Sequence, residues 1–93
     1  MIRSFKSTDT ERVWRRERVA RFGPELQRVA QKKLRLLNAA SRLSTLLVPP
    51  GNRLEKLAGD RAGQHSIRIN DQFRICFVWT DTGPIDVEIV DYH

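Results

Sequence analysis

Two apolar alternations near the end of the chain, Ile67-x-Ile69 and Phe73-x-Ile75-x-Phe77-x-Trp79, limit what it can fold into more than any other feature. A period of two marks strands with one buried face, and the residues between the runs set how they pair. A two-residue loop at Asn70-Asp71 would oppose Ile69 to Gln72 and send the apolar sets to opposite sides. A three-residue loop, Asn70-Asp71-Gln72, sets Ile69 against Phe73 and Ile67 against Ile75, so the odd loop is expected. Strands are predicted at Gln64–Asn70, Phe73–Thr80 and Asp86–Asp91, each bounded by Asn, Asp, Gly or Pro.

The same register opposes Arg68 to Arg74 on the other face. Like charges facing each other across two strands are destabilising, and guanidinium forks fit phosphate well. The pair therefore reads either as an anion site or as two solvated arginines. If the repulsion dominates, removing either arginine should not lower stability. The chain closes on Asp91-Tyr92-His93: a carboxylate, a phenol and an imidazole in succession. Beside an arginine face these suggest acid–base chemistry on a phosphate ester. In a regular strand, however, Asp91 and His93 share the side of Val87 and Ile89, with Tyr92 opposite.

The preceding chain reads as helices. Ile2 and Phe5 suggest a short N-terminal strand. Thr8-Asp9-Thr10-Glu11 fits a capping box, opening a helix from Asp9 to Val19 with Val13 and Trp14 on its apolar side. Gly23-Pro24 breaks that helix and starts another. From Glu25 to Ala40, Leu26, Val29, Ala30, Leu34, Leu37 and Ala40 recur at the spacing of one helical face. Ser41 is placed to cap a short turn through Arg42–Leu47. A loop from Pro49 to Gly63 follows, with a brief extended piece at Leu54–Leu57. Gly59-x-x-x-Gly63 lacks the Gly-Lys-Ser/Thr ending of a phosphate-binding P-loop. The order is β-α-α-(turn)-β-β-β: an α+β sandwich in which two N-terminal helices pack on one face of a small antiparallel sheet. The other face is expected to be open, lined by Ser66, Arg68, Arg74 and the C-terminal residues.

Ninety-three residues suit one domain, residues 1–93. No apolar run approaches membrane-spanning length and no signal peptide is evident. The lone Cys76 cannot form an intrachain disulfide, so a cytoplasmic setting is expected, with Cys76 as a buried thiol. No Cys/His cluster has metal-ligand spacing, and neither metal nor cofactor is expected. The net charge of +6 is uneven: 13 Lys/Arg against 4 Asp/Glu through Arg53, then 4 against 7. The helical half is thus suited either to a polyanion or simply to solvent.

The run PPGNRLEKLAGDRAGQHSIRINDQFRICFVW, the ending VEIVDYH and the opening MIRSF closely resemble the HigB-type toxins of bacterial toxin–antitoxin systems, within the RelE/ParE superfamily. The resemblance implies a RelE-like fold and a metal-free endoribonuclease that cuts mRNA in the A site of the 70S ribosome. It also implies a HigA-like helix-turn-helix antitoxin, with operator DNA contacted through the toxin–antitoxin complex. Some relatives carry a lysine before the loop glycine, where this chain has Ala58; Arg53, Lys56 or Arg61 stand nearby to replace it. The expected catalytic set is Arg74, Asp91, Tyr92 and His93. The expected RNA contacts are Arg68, Arg53, Lys56, Arg61 and His65, the last also readable as a partly buried structural histidine. Two other readings compete: a ParE-like gyrase poison on the same fold, and a non-catalytic RNA- or ribosome-binding protein.

Overall fold

In the computed structural model, which describes residues 1–91, the register follows from the side-chain parity. Strand β2 (His65–Arg68) pairs antiparallel with β3 (Phe73–Thr80), setting Ile67 against Ile75 and Arg68 against Arg74. The loop between them has the expected three residues, and Asn70 shapes it. Its Oδ1 accepts from the amides of Gln72 (2.9 Å) and Phe73 (2.8 Å), the self-bonding that suits Asn to turns. Strand β4 (Gly83–Asp91) pairs with β3, and the short β1 (Glu55–Lys56) adds a further strand inside the expected extended piece. The sheet is four-stranded, in the order β1-β2-β3-β4.

The register of β4 shifts between Cys76 and Val78, beside an Asp86 with φ of 53°. This bulge lets Ile85 pair with Val78 while Ile89 still faces Ile75. Gly83 occupies the turn before it at φ 126°, where an added Cβ would collide with the Met1 carbonyl oxygen. Only glycine admits the N-terminal backbone so closely.

Helix α1 (Thr8–Trp14) starts and stops at points that differ from the sequence expectation. Its cap is Ser7, whose Oγ accepts from the Thr10 amide at 3.1 Å, while Glu11 pairs with Arg15 instead of completing a capping box. It ends five residues early. The Arg16 amide bonds to Val13 and the Glu17 amide to Arg12, with Arg16 at φ 65°. This is the Schellman arrangement, with arginine in the left-handed position usually held by glycine. Helix α2 (Pro24–Ala39) runs nearly as expected, with Pro24 in its first turn. Between the helices lies a 3-10 turn, Ala20–Phe22; a second, Leu43–Leu47, follows α2, and its flanking Arg42 makes no side-chain cap.

One face of the sheet meets both helices. Val13, Ala30, Leu34, Leu37, Ile67, Ile75, Phe77, Val87 and Ile89 form the core, each large side chain contributing roughly 1.5–3 kcal/mol by burial. The outer edge of β4 is covered. Residues Arg3, Ser4 and Lys6 bond to it through backbone atoms, with Phe5 bridging parallel to Val87. Farther along, the Ile89 amide donates to Thr10 Oγ1 at 2.9 Å. An exposed row of strand amides would invite pairing with another chain; here helix and N-terminus occupy it.

The other face is less open than the sequence suggests. Ser66 and Cys76 are buried and Arg74 is only 8% exposed, because 3-10 turns at Pro50–Asn52 and Gly59–Arg61 accompany β1 across that side. Asn52 anchors this segment. Fully buried, it accepts from Lys33 Nζ (2.6 Å) and donates to the Leu46 carbonyl (3.1 Å).

Thr10 links helix cap to sheet edge, which generates a prediction. Thr10→Val keeps the shape but leaves the buried Ile89 amide without its acceptor, and should cost about 1–3 kcal/mol. Urea unfolding of the two proteins measures the difference.

Candidate active site

Arg74 is fixed at one end of the β2–β3 pair. Its Nε donates to Ser66 Oγ at 2.7 Å, and its Nη2 donates to the Arg53 carbonyl at 2.6 Å. Glu55 adds a carboxylate at 3.9 Å. Arg53 presents that carbonyl from a left-handed conformation, φ 45° and ψ 56°, at the end of the Pro50–Asn52 turn. Burying a guanidinium is costly unless its protons are taken up; the loop and strand do this together. The repulsion expected from the Arg68–Arg74 opposition is thus resolved by separating their partners. Arg68 turns to Asp71, whose side chain is 97% exposed, while Arg74 turns inward. The expectation that removing Arg74 leaves stability unharmed is therefore corrected: its loss would orphan Ser66 Oγ and the Arg53 carbonyl.

Next along the same face lies a second cluster. Arg61 donates to Gln64 Oε1 at 3.1 Å and Glu88 Oε1 at 3.4 Å. Glu88 stands opposite Cys76, which stands opposite Ser66, so the residues share one side of the pleat. Burial pushes the Cys76 thiol above its ordinary range, with Arg61 opposing that shift and Glu88 adding to it. A buried thiol of raised pKa is a packing group, not a nucleophile.

The structure thus brings Arg53, Arg61, Arg68 and Arg74 to the outer side. Lys56 and His65 face each other in the β1–β2 register, one step from the Glu55–Ser66 pair, and so belong to the helix-facing side. Lys56 is exposed at the sheet edge. His65 stacks on Phe77, ring centroids 6.3 Å apart, and its Nδ1 is buried without a hydrogen-bond partner. Burial, and secondarily Lys56, lowers its pKa. Asp91 stands opposite Phe73, one position from Arg74, and accepts from Gln72 Nε2 at 3.0 Å. As in the regular-strand reading, the pleat sets it on the Ile89 side, but at the sheet end it is exposed. Tyr92 and His93 lie outside the described residues.

Sequence reasoning missed Glu55, Gln64 and Glu88. Glu55 and Glu88 share parity with Ser66 and Cys76 once the pairing is known.

The fold agrees with known proteins. A family model described as the RelE-like toxin of type II toxin-antitoxin system HigB matches residues 3–93. The chain belongs to this HigB-like toxin family. Toxin HigB-1 of Vibrio cholerae is 38% identical over 82 residues, 87% of this chain and 86% of that protein. Among solved structures, a chain of the YoeB-YefM complex from Staphylococcus aureus superposes with a TM-score of 0.61 at 19% identity, covering 100% of this chain and 98% of its own. That likeness speaks for the α+β fold. Membership makes this chain a toxin of a type II system. No helix among the described residues is long and apolar enough to cross a membrane.

Two predictions arise from the site. Arg74→Ala should lower stability by about 1–3 kcal/mol through the acceptors it orphans, whereas Arg68→Ala should stay within about 0.5 kcal/mol; urea midpoints compare them. His65 resists protonation in the folded chain, so between its lowered folded value and the ordinary 6.5 the unfolded state binds more protons. Its contribution is complete above that window and falls as pH drops through it. The urea midpoint should therefore fall less from pH 7 to pH 5 in His65→Phe than in the wild type.

Proposed function

We propose that this toxin is a ribosome-dependent endoribonuclease that cleaves mRNA in the A site by attack of the substrate's own 2′-hydroxyl. The observation that carries this reading is Arg74: a guanidinium fixed by Ser66 and Arg53 at the sheet end whose other face carries the exposed Asp91, in a HigB-like toxin. The sequence continues with Tyr92 and His93, completing a set able to move protons at a phosphate ester.

The reaction needs three things from the protein. A base removes the 2′-hydroxyl proton as that oxygen attacks phosphorus. Positive charge meets the growing charge on the non-bridging oxygens. An acid protonates the 5′-oxygen as its bond to phosphorus breaks, leaving a 2′,3′-cyclic phosphate and a 5′-hydroxyl. Arg74 takes the electrostatic role, because donors held in place need no reorganisation in the transition state. Arg68, held only by an exposed partner, is suited to follow the strand. Asp91 and His93 take the proton-transfer roles, and Tyr92 stacks on or hydrogen-bonds the scissile nucleotide. Since nucleophile and phosphate already share one substrate, orientation for in-line attack supplies part of the acceleration.

No step draws on a metal, and among the described residues no group of three His, Cys, Asp or Glu is placed to hold one. The partner that restrains the toxin is proposed to be a HigA-like helix-turn-helix antitoxin, which also carries the contacts to operator DNA. The site of action is the cytoplasm, where ribosomes and nascent messages are found.

The test is cleavage of mRNA on translating ribosomes, with the new ends identified. A 2′,3′-cyclic phosphate or 3′-phosphate supports the reading. Intact mRNA together with inhibited DNA gyrase would replace it with the gyrase-poisoning reading. His93→Gln should reduce single-turnover cleavage by about 10²–10⁴-fold, the range for a lost acid or base. Full-rate cleavage by that variant would pass the acid role to Asp91 or Tyr92.

A further inference from the structure

The four carboxylates of the helical half are all committed. Asp9 pairs with Arg12 and Arg21, Glu11 with Arg15, Glu17 with Arg12, and Glu25 with Arg28. Arg16 and Arg18 make no side-chain ion pair among the described residues, yet they are not scattered. Together with Arg28, Pro24, Gln27 and Gln31 they line one cavity of about 260 Å³ between the Arg15–Val19 segment and α2.

That cavity is built. Gln27 reaches across to accept from the Val19 amide at 3.0 Å and to donate to the Glu17 carbonyl, and Gln31 donates to the Val13 carbonyl at 3.2 Å. These bonds hold the segment against α2, and the left-handed Arg16 turns the chain there. The cavity also lies at a telling end of the molecule. Its segment runs into the Ala20–Phe22 turn, and Phe22 packs edge-on against Phe73, ring centroids 6.0 Å apart. Phe73 is the residue opposite Asp91. The segment that lines the cavity therefore leads, through Phe22, to the end of the sheet that carries Asp91.

We propose that this cavity is a second RNA-backbone site, in which Arg16, Arg18 and Arg28 take phosphodiester oxygens of the strand that also occupies the Arg74 face. The proposal rests on the ribonuclease reading and extends it: the toxin holds a stretch of message longer than the nucleotides at the scissile bond. Guanidinium forks suit phosphate oxygens bidentately. Arg28 shares its charge with the exposed Glu25, a surface pair that contributes little against solvent or an incoming phosphate.

The test uses the whole chain and single-stranded RNA carrying 2′-O-methyl groups, which binds without being cut. Oligonucleotides of about 5 and about 20 nucleotides are titrated across a range of salt. Each phosphate neutralised on a single strand contributes about 0.7 to the slope of log affinity against log salt. The combined variant Arg16→Gln, Arg18→Gln, Arg28→Gln should flatten the slope for the long RNA by about 2, and leave the short RNA nearly unchanged. A control that removes equal charge elsewhere, Lys32→Gln, Arg35→Gln, Arg42→Gln, should change the long-RNA slope far less. Equal slopes for the cavity variant and the wild type would overturn the proposal. So would an unchanged RNA slope with lost binding of the antitoxin, which would assign the cavity to an acidic protein segment. Absence of RNA binding by the wild type at low salt, or equal slopes with normal cleavage on ribosomes, would remove the cavity site alone, whereas intact mRNA on translating ribosomes would remove the proposal together with the ribonuclease reading.

Discussion

The arrangement of the outer face depends on one buried guanidinium. Arg74 belongs to a central strand, but its hydrogen bonds end on a neighbouring strand and on the loop beyond it. Leaving that loop away from the sheet would expose the guanidinium to water at little cost. Docking it strips the water away, and the lost hydration must be replaced by protein acceptors. Ser66 Oγ and the Arg53 carbonyl provide them, and the turn at Pro50–Asn52 aims the second. Asn52 is in turn fixed from the helical side by Lys33. A contact network thus runs from α2 through Asn52 and Arg53 to Arg74, tying the position of the candidate phosphate-binding group to the core.

Thr10 makes a comparable connection on the far edge. Its hydroxyl lies 2.6 Å from Ser7 Oγ and accepts the Ile89 amide, so the start of α1 and the end of β4 share one polar contact. β4 leads directly to Asp91. The β4 edge of the sheet is thereby held by groups from elsewhere in the chain, and the candidate site lies at the end where β3 and β4 meet.

The β2–β3 register was legible because parity leaves two choices for an apolar alternation and the loop length selects between them. The helix-facing core was legible for the same reason in α2. The end of α1 was not, because its left-handed stop is Arg16, which carries no sequence signal of the kind glycine gives. Nor was the burial of Arg74, since its cover comes from residues 50–63, a segment without periodicity whose position is fixed by tertiary contacts. A charged residue in a strand reads as solvated until its acceptors are known. The Asp86 bulge likewise moved Ile85 out of the alternation a regular strand would show. The Asp91-Tyr92-His93 triplet was read from residue type alone, and its role remains a proposal; family membership bears on the class of protein, a type II toxin.

The charge asymmetry of the chain takes on a different sense once the pairs are placed. The arginines of the outer face lie mostly in the acidic part of the sequence, and its carboxylates brace them: Glu55 beside Arg74, Glu88 on Arg61, Asp71 on Arg68. Braces of this kind neutralise part of the positive field of the face, so under the proposed ribonuclease reading they would weaken the initial attraction of RNA. They also restrict each guanidinium to a narrow range of directions, and positioned donors are what a transition state rewards. The braces are graded. Arg74 is itself buried, Arg61 is half-buried, and Arg68 holds a carboxylate that is nearly all in water. Rigidity thus increases from Arg68 towards Arg74, the order expected if the first receives an approaching strand and the second must already be in place when phosphorus is attacked. On the same proposed reading, attraction over distance would fall to the helical half, where the positive charge outnumbers the carboxylates available to pair with it.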